Sequence, residues 1–175
     1  MDKTQKRNVW IQSPDYLSYE IGEVSRDEIE KIWGARWAQK CIRDVAEEVA
    51  IARFSPFPRA KSQEFCSPQL HFENNSATLT VSPWTDVKPA ILYGSPLQDF
   101  NSWTVTLRVK RGHRLLGLIP VNYCFEIVVL QEDALKLVRL FYDHTPEELV
   151  KKAKIWREQI NERYRYRLVG TFFLQ

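Results

Sequence analysis

From residue 103 to residue 110 apolar and polar side chains alternate without a break. Trp103, Val105, Leu107 and Val109 fall on one side, and Thr104, Thr106, Arg108 and Lys110 on the other. Successive side chains of a strand point to opposite faces, so this stretch reads as a strand with one face on a core and the other in water. Such a strand needs neighbours along both edges and a layer over its apolar face. The neighbours lie close by. Residues 69–73 and 77–82 alternate around Asn74-Asn75-Ser76, a hairpin pattern that places Leu70, Phe72, Leu79 and Val81 inside. Residues 90–93 read as a short strand after Pro89. Residues 111–114 read as a turn, with 115–119 and 122–129 returning. The middle of the chain is thus expected to be an antiparallel meander of about five strands.

The covering layer is written in a different period. Ile29, Trp33, Trp37, Cys41, Val45 and Val49 recur every four residues, one apolar stripe of a helix ending near Arg53. Ser25 and Glu28 form a capping box at its start, satisfying two amides that the first turn leaves unpaired. Gly34 inside the stripe costs about 1 kcal/mol relative to Ala. Ser55-Pro56-Phe57-Pro58 ends the helix and opens the longest irregular stretch, 55–68. Towards the C-terminus, 132–142 reads as a helix buried along Ala134, Leu137, Val138 and Phe141. Thr145-Pro146-Glu147-Glu148 is a second capping box with proline at the first helical position. Leu149, Ala153, Trp156, Ile160 and Tyr164 carry the following stripe, and 168–174 reads as a last strand.

Together these patterns predict an α+β fold, an antiparallel β-meander sheet packed against a long N-terminal helix and a C-terminal helical pair. With 175 residues, 44% hydrophobic and 27% charged, the chain is long enough for one real core. Residues 1–24 read as a polar tail and short extended segment, and 25–175 as a single α+β domain. The N-terminus lacks the apolar segment of a secretory signal, and no apolar run approaches the roughly 20 residues a membrane helix needs. Cys41, Cys66 and Cys124 are scattered, a pattern of unpaired thiols that points to the cytoplasm; Cys66 is expected to be the accessible one.

The familiar catalytic signatures are missing. Six glycines form neither a phosphate-binding loop nor a dinucleotide fingerprint, and no Gly-x-Ser-x-Gly elbow occurs. His71, His113 and His144 stand alone in sequence, and no metal or other cofactor is implied. Asp86-Val87-Lys88, with Glu73 and Glu47 or Glu48, loosely resembles the acid and acid-x-Lys pattern of metal-dependent nucleases, in which acids hold Mg²⁺ and the lysine steadies the attacking water. Pro89 directly after Lys88 spoils the strand such sites use.

Charge is distributed unevenly. Residues 1–100 carry 12 Lys/Arg against 14 Asp/Glu, whereas 101–175 carry 13 against 8. One basic cluster is Arg108, Lys110, Arg111 and Arg114, beside His113. A second comprises Lys151, Lys152, Lys154, Arg157, Arg163 and Arg165, interleaved with tyrosines. Cations of this kind neutralise phosphates, although a helix also needs a polar face of its own. The leading expectation is a non-catalytic binding protein whose two basic stretches converge to contact nucleic acid or another polyanion. A second is a small-ligand or protein-interaction module in which Trp33, Trp37 and Trp103 line a helix–sheet cavity. Trp10 and Trp84 are expected at the surface, where either could anchor a protein partner. A metal-dependent hydrolase using Asp86 and Lys88 is the third.

Overall fold

The structure is a computed structural model and describes residues 6–34, 36–52, 64–96, 100–114 and 119–152. Six strands form one antiparallel sheet in the order β2-β1-β3-β4-β5-β6. They are β1 (Lys6–Gln12), β2 (Ser18–Ser25), β3 (Gln69–Glu73), β4 (Ala77–Pro83), β5 (Ser102–Arg114) and β6 (Ile119–Leu130). The helices are α1 (Ile29–Gly34), α2 (Trp37–Ala52), α3 (Lys88–Tyr93), α4 (Gln131–Asp143) and α5, which starts at residue 146 and is described to 152. The fold is therefore α+β, as its alternating middle and periodic flanks require.

Register explains why one face is dry. Val9, Phe72, Leu79, Leu107 and Phe125 lie opposite one another across five strands, and Ile11, Leu70, Val81, Val105 and Ile127 form the next row. The helical layer closes over these rows with Trp33, Trp37, Leu137, Val138, Phe141, Leu149 and Val150. Arg7 enters the same layer from β1, with its guanidinium 5.6 Å and 5.7 Å from the ring centres of Phe141 and Tyr142. Tyr142 donates its hydroxyl proton to the Val24 carbonyl at 3.1 Å. Arg139 pairs with Glu30, and Arg26 with Asp143 at 2.8 Å, so α4 is tied to the start of the first helical segment.

Four local expectations need correction. Residues 6–12, expected within a polar tail, form β1, which pairs with the expected extended segment, β2, and places Val9 in the core. The first helical stripe is two helices rather than one: Arg36, at φ +50°, interrupts it two residues after Gly34. The capping box at Ser25 does form, Ser25 donating its amide to Glu28 at 2.9 Å, but the turn it starts is 3₁₀. Residues 90–93 are helical, since Pro89 sits in the first turn of α3 and Gly94 closes it with φ +65°.

Candidate nucleic-acid interface

The two sheet faces differ in kind. Opposite the helices, one row runs Trp10, His71, Thr80, Thr106, Glu126 and the next runs Asn8, Glu73, Thr78, Arg108, Cys124. Trp10 stacks flat on the His71 ring at 3.6 Å between centres, so the histidine is 7% exposed although it belongs to the polar face. His71 Nδ1 shares a 3.0 Å hydrogen bond with Thr80 Oγ1, while its Nε2 is buried and unpartnered. Burial above all, and then the Arg108 guanidinium, lowers its pKa to about 4. The imidazole is therefore neutral at physiological pH.

Thr106 donates its hydroxyl proton to Glu126 Oε2 at 3.3 Å. Trp84, 62% exposed, comes in from the chain after β4, its amide held by the Ser102 carbonyl at 2.9 Å. These groups and Arg108 enclose an open trough of about 290 Å³ on the sheet surface. The row that builds it spans four strands, and nothing in the linear sequence links its members.

Beyond the trough the last hairpin outruns its neighbours. Pairing of β4 with β5 stops at Ala77 and Val109, with one further tie from the Lys110 amide to the Ser76 carbonyl at 2.8 Å. Pairing of β5 with β6 continues to His113–Pro120 and Arg114–Ile119 after a register shift past Lys110. Residues 110–114 and 119–122 thus form a two-stranded ribbon projecting past the sheet. Arg111 to Arg114, expected to be a turn, are its outgoing strand. No acidic residue occurs between Asp99 and Glu126, and Glu126 of β6 lines the trough together with Arg108.

Of the second basic stretch, Lys151 and Lys152 are described. Leu149 and Val150 insert into the core on the helical side, and Lys151 and Lys152 follow them on α5. Arg108 and Lys110 alternate with the buried Leu107 and Val109 and extend from the opposite face. Lys152 Nζ lies 2.9 Å from His144 Nε2, whose other nitrogen is 3.5 Å from Glu148. Lys151 and Lys152 thus follow the helical layer, whereas Arg108 and Lys110 belong to the other face of the sheet. Lys154, Arg157, Arg163 and Arg165 lie outside the described residues.

No family model, curated protein or solved structure matches the chain.

The remaining sequence candidates resolve as follows. Trp33 and Trp37 pack on Trp103 at 5.1 Å and 5.8 Å between ring centres, all three at least 92% buried. The three rings pack on one another and also line a groove of about 340 Å³ with Phe100, Asn101 and Gln131. Asp86 accepts the amide of Lys88, the first residue of α3, at 3.0 Å, and the described residues contain no cluster of metal-ligating side chains. Cys66 is half-buried, whereas Cys124 is exposed on the open face. The reversal follows from strand phase: Phe125, Ile127 and Val129 take the core positions of β6, which turns Cys124 outward. No described helix is long and apolar enough to cross a membrane.

Proposed function

We propose that this protein is a non-catalytic binding protein that contacts nucleic acid through the basic ribbon of β5 and β6 and the adjoining open face of the sheet. The observation that carries this reading is the projection of residues 110–114 and 119–122, which bear Lys110, Arg111 and Arg114 and no acid, beyond the body of the fold, with Arg108 at its base in the sheet. A projecting two-stranded element presents its cations to a phosphate backbone without the rest of the molecule in the way. Lys151 and Lys152, set over the opposite face, have no part in this surface. The three unpaired thiols fit a reducing, cytoplasmic setting.

Salt titration tests the proposal. Four phosphate contacts give a slope of about −3.6 in log affinity against log salt on duplex DNA, roughly a hundredfold loss between about 50 and 200 mM. Replacing Arg108, Lys110, Arg111 and Arg114 by Ala should weaken binding and flatten that slope. Replacing Lys151 and Lys152 should leave both unchanged. Absence of binding at about 50 mM salt, or indifference to the ribbon substitutions, rules the reading out.

A further inference from the structure

We propose that the open-face trough is a subsite for a single unpaired nucleobase, so that the preferred partner is a single-stranded nucleic acid with its phosphates on the ribbon. The ligand class rests on the function proposed above; the subsite rests on its own geometry. Trp84 holds an exposed indole at one side of the trough, a plate on which any base can stack. The floor is polar: Thr80, Thr106 and Glu126 project from three adjacent strands in one cross-sheet row. The Thr106 hydroxyl, bonded to Glu126 Oε2, orients that carboxylate at the trough. An ionised carboxylate only accepts hydrogen bonds, so it selects a base edge that offers N–H groups. Guanine presents two such groups side by side, the spacing a carboxylate accepts with both oxygens.

Next to Thr80 in the same row lies His71, 93% buried, with Nε2 lacking any partner. A buried nitrogen left unpaired is unfavourable, and a ligand atom or a water brought in with it would satisfy it. Arg108 stands at the ribbon side of the trough and Lys110 two residues further along the same strand. From Thr106 to Lys110 the strand covers about 13 Å. A base held in the trough therefore has its own phosphate near Arg108 and the next ones along the ribbon. The volume of about 290 Å³ suits one ring system rather than a folded partner.

Calorimetric titration of the full chain with each of the four ribonucleoside 5′-monophosphates, and with single-stranded and duplex oligonucleotides, tests this. Guanosine monophosphate should bind most tightly. Trp84→Ala and Glu126→Gln should each weaken it about tenfold. Both side chains are exposed, so circular dichroism and the thermal midpoint should stay unchanged. Joint Ala substitution of Lys110, Arg111 and Arg114 should spare the mononucleotide and weaken the oligonucleotide. Absence of saturable mononucleotide binding at millimolar concentration overturns the subsite, as does unaltered affinity in Glu126→Gln. Equal affinity for duplex and single strand overturns it too. Oligonucleotide binding lost in the ribbon variant but untouched by Trp84→Ala and Glu126→Gln removes the subsite and leaves the ribbon standing. Mononucleotide binding without any oligonucleotide binding supports the subsite and removes the ribbon.

Discussion

His71 shows how far a residue's neighbours can depart from its sequence context. Alternation places it on the wet face of a hairpin, yet Trp10, from a strand more than fifty residues earlier, covers its ring. The buried imidazole stays neutral down to about pH 4, whereas an unfolded chain takes up its proton near the ordinary value of 6.5. Below that ordinary value the unfolded state binds more protons than the folded one, so stability falls as pH drops from about 6.5 to about 4. Substituting His71→Gln should flatten that part of the stability–pH curve, and urea unfolding across the range will measure it. The thiols offer a second check at this scale. Cys124 is exposed, while burial raises the Cys41 thiol pKa to about 11. Alkylation of the native protein near neutral pH, followed by mass spectrometry, should label Cys124 first and Cys41 last. Trp103, touching Trp33, Trp37 and Phe100, is 4% exposed; Trp103→Ala should cost about 3–5 kcal/mol in denaturant unfolding.

Helix caps and strand ends decide what happens at the level of elements. The second capping box forms as its sequence requires: the Thr145 amide donates to Glu148 at 2.9 Å, and the Glu148 amide donates to Thr145 Oγ1 at 3.4 Å. Thr145→Ala should cost about 1 kcal/mol, read as a lower thermal midpoint. These caps, the 69–82 hairpin and the strand from 103 to 110 were legible because each depends on residues only a few positions apart. The α3 helix was not legible. Its six residues hold too little periodicity to separate a helix from a strand, and the packing of Ala90 and Ile91 against Ile42 and Val45 of α2 settled the matter. The first two strands were obscured for a similar reason. Their polar side chains belong to an open face, so the pattern resembles a solvated tail until β3 is placed beside β1.

For the molecule as a whole, the sheet acts as a partition. Helices cover one face, and the ribbon and trough lie on and beyond the other. Hydrogen exchange should reflect this arrangement. Amides of β3, β4 and the paired part of β5 should exchange slowest, and those of β5 beyond Lys110 fastest within that strand, because past this point β4 no longer flanks it. Equal protection along all of β5 would contradict the projecting ribbon. The same partition places Lys151 and Lys152 after the helical layer and Arg108 and Lys110 on the opposite face.

By itself the sequence determined the α+β class, the strands and helices with strong periods, and the absence of acid between Asp99 and Glu126. Those properties reside in hydrophobic spacing and in charge order, which short-range geometry converts directly into structure. Only the tertiary structure decided that Trp33, Trp37 and Trp103 pack on one another, and that His71, Thr80, Thr106 and Glu126 form one row. Strand register joins residues separated by tens of positions, and no local pattern encodes which face of the finished sheet the helices will occupy.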